Sequence, residues 1–185
     1  PLLLKIVSAE EDPAFVRMHT LALLHVEGRD PGLPIQRVVR TKEGAPDATA
    51  TMPDGTERIV RVVTYVLGTM QRNAPTTPLQ RRNAGRMIAR LQHALDDFQH
   101  PADSHELTWD LMNVASLLPR VEEIAGGADR ANLVAAIEGM ARDVMPTAGR
   151  LARQVVHNDL NSDNIVVDPE DTDKAWSAVR ESARP

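Results

Sequence analysis

The chain has no cysteine, and that absence removes disulfides, thiolate metal sites and cysteine nucleophiles together. Aromatic residues are scarce as well. They make up 3% of the chain, as Phe15, Tyr65, Phe98, Trp109 and Trp176, so the core has to be mostly aliphatic. No apolar run approaches the roughly 18 residues that suggest a membrane span. Basic charge is in deficit: the net charge is −5 and the pI about 5.7, the wrong bulk field for nucleic acid or an anionic membrane as partner. What remains is an ordinary soluble composition, and freedom from cysteine fits a cytoplasmic protein. A chain of 185 residues suffices for one domain with a real core, or for two small lobes sharing a cleft.

The first third alternates strand and helix signals. Leu2 to Val7 is a short apolar run that reads as a buried strand already under way at the first residue. Asp12-Pro13 supplies an N-cap acceptor followed by proline at the first helical position, and the helix is expected to end at Gly28. Ile35–Arg40 and Arg58–Val66 read as strands, with Pro53-Asp54-Gly55 as a turn between them. Helices dominate from Pro78 onward. Ala84, Met87, Ile88, Leu91, Leu95 and Phe98 fall on one face of a helix started by Thr77-Pro78. Leu111, Val114, Ala115, Leu118 and Val121 form a second stripe, closed by Gly126-Gly127. Val134, Ile137, Met140, Ala141 and Val144 form a third, with Asp129 as its expected cap. Core packing accounts for all three.

The last informative stretch reads as strand, loop and strand: Gln154–His157, a polar Asp159–Asp163, then Ile165–Asp168. Its run His157-Asn158-Asp159-Leu160-Asn161-Ser162-Asp163-Asn164 is where the chemistry concentrates. An aspartate and an asparagine five residues apart on one rigid loop suit phosphoryl transfer, which needs positioning and charge compensation more than covalent help. Asp159 is the candidate base for an acceptor hydroxyl, and the Asn164 carbonyl offers oxygen to a hard cation such as Mg²⁺. His157 suits bracing the loop better than reacting. Taken alone, the spacing also suits a turn capped by Asp159 and Asp163. The apolar segments on both sides favour the chemical reading. His19 and His25 lack the i, i+4 spacing of a two-histidine metal site, and Ser162 has no histidine placed beside it.

The run VVHNDLNSDNIVVD resembles the catalytic loop of the aminoglycoside phosphotransferase and choline kinase superfamily. The closer likeness is to its hydroxylysine-kinase-like branch, where an asparagine two residues after the aspartate is also familiar. Leu3-Leu4-Lys5-Ile6 resembles the strand whose lysine contacts ATP phosphates, and Thr64-Tyr65-Val66-Leu67-Gly68 the segment joining the lobes, whose backbone meets adenine. Asp30 to Pro34, Gly85 to Leu95 and Leu107 to Leu111 extend the likeness, which covers about Leu3 to Asp168. It implies a two-lobed, protein-kinase-like α+β fold, with an N-lobe and hinge over 1–68, a helical C-lobe over 69–174 and an atypical tail over 175–185. It implies ATP and Mg²⁺ as cofactors, Lys5 with Thr64, Tyr65 and Val66 as nucleotide-binding residues, Asp159 as catalytic base and Asn164 as metal ligand. By itself Lys5 would read as a surface lysine with its stem along apolar surface.

Three departures qualify what the resemblance implies. The phosphate-covering loop belongs before Lys5, outside this stretch. The acidic metal ligand belongs in an I-D-x-G-D run after Asp168, where the chain reads Asp168-Pro169-Glu170-Asp171-Thr172-Asp173-Lys174, and Asp171 and Asp173 read as solvated turn residues. The glutamate that pairs with the phosphate lysine maps near Arg17, so that either Glu10 or Glu11 serves as substitute or the ion pair is absent. The expected activity is transfer of the ATP γ-phosphoryl group to a hydroxyl of a small amine-bearing molecule. The alternative is a non-catalytic pseudokinase or nucleotide-binding remnant. With both ends read as cut, the stretch alone is expected to turn over poorly and to self-associate through an incomplete C-lobe.

Overall fold

In the computed structural model, described for residues 1–104, 107, 110–124 and 126–171 and for the backbone of Ala175–Ser177, the chain begins with strand β1, Leu2–Ile6. It pairs antiparallel with β4, Glu57–Thr64, so that Lys5 lies opposite Arg61 and Leu3 opposite Val63. Two shorter strands, β2 (Val38–Val39) and β3 (Ala48–Thr51), pair antiparallel with successive stretches of β4. The period of two decides what β1 buries. Leu3, Lys5 and Val7 turn inward, whereas Leu2, Leu4 and Ile6 are exposed. The run expected to be a fully buried strand is therefore an edge strand with one solvated face.

Helix α1, Pro13–Arg29, starts as expected: Asp12 Oδ1 accepts the Ala14 N–H at 2.8 Å, with Pro13 in the first turn. It passes through Gly28, which keeps a negative φ, and ends where Asp30 N–H reaches Val26 O at 2.8 Å. Pro31 gives the physical reason, since it disfavours helical backbone at the residue before it. The expected strand Ile35–Arg40 contracts to β2, because Gln36 and Arg37 are spent on Thr64. Gln36 Nε2 donates to Thr64 O at 3.2 Å and Arg37 N–H to Thr64 Oγ1 at 2.8 Å. The Asp54-Gly55 turn is present: Met52 N–H donates to Thr56 O at 2.8 Å, and Gly55 takes φ +81°.

A short β5, Thr69–Met70, follows the segment after β4, and Gln71–Asn73 forms a 3₁₀ turn. Helix α2, Pro78–Ala94, is capped by Thr77 Oγ1, which accepts the Gln80 N–H at 3.0 Å. Its inward face carries Ala84, Met87, Leu91 and Ala94 into a core with Val26, Leu33, Ile35, Leu95, Ile165 and Val167. Ile165–Val167 is β6, buried at all three positions and flanked by β5 and by β7, Ala175–Ser177. Gln154–His157, expected to be a strand, pairs with no strand among the described residues, because both edges of β6 are already taken.

Contacts group the chain into residues 1–103 with 154–185, and separately residues 104–153. The second unit is helical but irregular. Leu111–Leu117 is 3₁₀ rather than α, capped by Asp110, and continues into α3, Leu118–Val121. Helix α4, Ala128–Gly139, is preceded by Gly127 at φ +130°, so Asp129 sits within the first turn and not at the cap. The next five residues, Met140–Val144, form a π turn before α5, Met145–Ala148. Pro146 lacks the N–H that a regular helix would offer to Arg142, and the wide turn accommodates that loss. No helix among the described residues is long and apolar enough to cross a membrane.

Candidate active site

The loop between Gln154 and β6 is shaped by its own polar side chains. Asn158 adopts φ +58°, a left-handed conformation that asparagine tolerates better than most residues. The turn presents Asp159 N–H to His157 Nδ1 at 3.3 Å. With Nδ1 accepting, the ring proton of a neutral His157 is on Nε2, which is buried with no hydrogen-bond partner among the described residues. Burial is the main reason that the His157 pKa is lowered; the Asp159 charge opposes it and His19 adds to it. His157 is thus a neutral brace.

Asp159 and Asn164, the predicted base and metal ligand, are in direct contact. Asn164 Nδ2 donates to Asp159 O at 2.7 Å and to Asp159 Oδ2 at 2.8 Å. Asn164 itself is buried, and its N–H donates to Asn161 O at 3.1 Å. Because β6 begins at the next residue and is wholly buried, the loop is anchored in the same core as α2. With its amide nitrogen turned to Asp159, Asn164 keeps Oδ1 as the group for a hard cation. Among the described residues no three His, Asp or Glu side chains gather as a metal site. One neutral oxygen fits a cation shared with phosphate oxygens and not one held by the protein alone.

Lys5 lies on the inward face of β1 among other charged groups. Its pKa is lowered to about 8 by burial first and by Arg61 second, with Glu11 opposing. Arg61, buried on β4, donates from Nη1 to Thr20 Oγ1 at 2.7 Å. His19 on α1 is lowered to about 4, by burial and then by Arg61 and Lys5. Lys5 and Arg61 both act on His19, and His19 and Asp159 both act on His157. The acidic neighbour of Lys5 is Glu11, one of the two expected substitutes, whereas Arg17 points to Asp47 at 3.9 Å.

Thr64 ends β4, and its backbone is committed: N–H to Arg37 O at 2.8 Å, carbonyl to Gln36. Tyr65 N–H donates to Pro1 O at 2.9 Å. The Tyr65 carbonyl and the Val66 N–H have no hydrogen-bond partner among the described residues. Just beyond, Gly68 passes so close to β6 that an added Cβ would lie 2.6 Å from Val167 O. Glycine is required there, and it ties this segment to the strand that leaves the Asp159–Asn164 loop.

Comparison with family models matches residues 1–179 to the phosphotransferase enzyme family. The chain belongs to that family. Among curated proteins, the chain is similar to hydroxylysine kinase of Mus musculus, 27% identical over 174 residues, and of Bos taurus, 26% identical over 173. Each match covers 89% of the chain and 46% of the relative, so the chain spans a little under half the length of the curated relatives it matches. Among solved structures, a microcompartment-associated aminopropanol kinase matches with TM-score 0.66 at 20% identity, covering 96% of this chain and 56% of the other. An aminoglycoside phosphotransferase from Alicyclobacillus acidocaldarius matches with TM-score 0.53 at 19% identity, covering 96% and 57%. These likenesses establish the α+β, kinase-like fold.

Sequence reasoning missed Arg61, His19 and Asn161 as parts of this constellation. Arg61 left a signal: a charge at an inward position, between the apolar Ile59 and Val63 of the same face. His19 left none, because its neighbours are set by tertiary packing; Asn161 marked the likeness to the hydroxylysine-kinase-like branch, but its local contacts to Asp159 and Asp163 were not read from it. Of the acidic residues after Asp168, Asp171 is half-buried and Asp173 lies outside the described residues.

Proposed function

We propose that this phosphotransferase transfers the γ-phosphoryl group of ATP to a hydroxyl of a small amine-bearing molecule, with Asp159 as the base. The observation that carries the reading is the Asp159–Asn164 contact on a loop braced by His157, in a chain of this family. The acceptor oxygen bonds to the γ-phosphorus and gives its proton to Asp159. The bond from that phosphorus to the bridging oxygen breaks, and ADP leaves. Lys5 contacts the ATP phosphates, and the Tyr65 carbonyl and Val66 N–H meet the adenine edge beside Thr64. Magnesium, when bound, neutralises phosphate charge, and Asn164 Oδ1 is its ligand from this chain. The amine-bearing acceptor is supported by the names of the relatives: hydroxylysine, aminopropanol and aminoglycosides are all hydroxylated amines. The reaction is cytoplasmic on this reading, supported by the ATP that this compartment supplies.

The test is an ADP-release assay of the full-length protein with Mg-ATP and a panel of amino alcohols, hydroxylated amino acids and aminoglycosides. Asp159→Ala is expected to lower kcat by at least about 10²-fold, the scale of losing a general base, with a much smaller change in ATP affinity. Near-wild-type turnover in that variant would falsify the assignment.

A further inference from the structure

Asn161 has both ends of its amide assigned by chemistry. Its Oδ1 accepts the Asp163 N–H at 2.8 Å, and its Nδ2 donates to Asp159 Oδ1 at 2.7 Å. A backbone N–H can only donate, so the amide cannot be flipped: the reverse orientation would set N–H against N–H and oxygen against carboxylate. On the other side of the same carboxylate, Asn164 Nδ2 donates to Oδ2 at 2.8 Å. Each carboxylate oxygen of Asp159 thus receives one N–H, from a different residue. Two tethers fix the plane of the carboxylate, where one would leave the broad terminal torsion of aspartate free to turn. Asn161 is itself held. Asp163, whose N–H fixes its oxygen, has Oδ1 3.0 Å from Arg72 Nε, and Arg72 N–H donates to Ser162 O at 3.2 Å. The support therefore runs from the 3₁₀ turn after β5 through Asp163 to Asn161.

We propose that Asn161 is a positioning residue for phosphoryl transfer, its side-chain N–H holding Asp159 Oδ1 so that the carboxylate faces the acceptor hydroxyl in one fixed orientation. The inference rests on Asp159 being the base. Its chemistry distinguishes it from a turn cap, because the cap needs only the Asn161 oxygen whereas positioning needs the nitrogen.

Two variants of the full-length protein separate these roles. Asn161→Asp keeps an oxygen for the Asp163 N–H but removes the donor and sets a second carboxylate against Asp159. Asn161→Ala removes both. Positioning predicts that both variants lose kcat, Asn161→Ala by about 10- to 100-fold, the scale of a misplaced reacting group, with Asn161→Asp at least as impaired and the KM for ATP little changed in either. A turn cap predicts near-wild-type turnover for Asn161→Asp, and that result overturns the proposal. Asp159→Ala is measured alongside. If it is as active as wild type, the assignment of the base has failed; if it is inactive while both Asn161 variants turn over normally, only the role of Asn161 has failed. Side-chain NMR reads the same clamp without turnover. The Asn161 Nδ2 protons should exchange slowly and Asp159 should keep one rotamer, which it loses in both variants. Unprotected Nδ2 protons in the wild type overturn the proposal as well.

Discussion

Lys5 and Arg61 sit opposite each other on neighbouring strands, and both have pKa values below their usual ranges, chiefly because burial removes water from charged groups. Glu11 opposes the lowering in both, and Asp47 does so for Arg61. Lys5, at about 8, is the group through which an arriving anion can be detected. A base whose folded pKa lies below its unfolded value of 10.5 costs the fold most where both states are protonated, below pH 8. That cost fades as pH rises from 8 towards 10.5, because the unfolded chain still binds a proton that the folded chain has released. A polyphosphate beside Lys5 acts the other way and restores the ammonium. ATP binding near pH 8.5 is therefore expected to take up roughly three-quarters of a proton. Calorimetry in two buffers of different ionisation enthalpy measures it. Equal uptake in wild type and Lys5→Met would exclude Lys5 from the phosphate site.

At the scale of elements, α2 is where sequence pattern and structure agree best. Met87, Leu91 and Leu95 are buried and Ile88 partly so, while Arg82, Arg86, Arg90 and Asp97 face solvent. Leu91→Ala should cost roughly 2–5 kcal/mol, because it opens a cavity among Val26, Leu33 and Ile165 in the core that anchors β6. A chemical-denaturation measurement within about 0.5 kcal/mol of wild type would place Leu91 on the surface instead. The helix was legible because a cap, a first-turn proline and an apolar stripe all specify the same element. β3 was not legible, since Ala48-Thr49-Ala50-Thr51 carries no large apolar side chain and is a strand only because β4 offers it an edge. Gln154–His157 fails the opposite way: its composition suits a strand, but both edges of β6, the strand it leads into, are taken by β5 and β7. The candidate site divides likewise. Asp159 and Asn164 could be read from their spacing, whereas the Asn161 contact depends on a left-handed Asn158 and a turn ending at Asp163, which one-dimensional spacing does not encode.

Across the whole molecule, burial is uneven between the two units. Residues 1–103 with 154–185 hold the ten-residue core cluster, which includes Val26, Leu91 and Val167. Within residues 104–153 the buried side chains among those described are Val121, Ile137 and Ala148. Two of that unit's helices, α3 and α5, are single turns of four residues, far below the length at which helix propagation offsets nucleation. Opening this unit exposes little apolar surface, so little free energy opposes it. Native-state hydrogen exchange is accordingly expected to report openings for the amides of α3 to α5 that are easier than those of β4 and α2 by at least about 1.4 kcal/mol, a tenfold difference in rate. The gradient has a mechanistic meaning on the proposed reading. Asp159, Asn161, Asn164 and Lys5 all belong to the well-buried unit, where phosphoryl transfer needs fixed geometry, and the sparsely buried unit is free to differ without disturbing them. Equal protection across the two units would show that residues 104–153 draw stability from contacts beyond their own three buried side chains, and would remove this separation of rigid chemistry from adaptable surroundings.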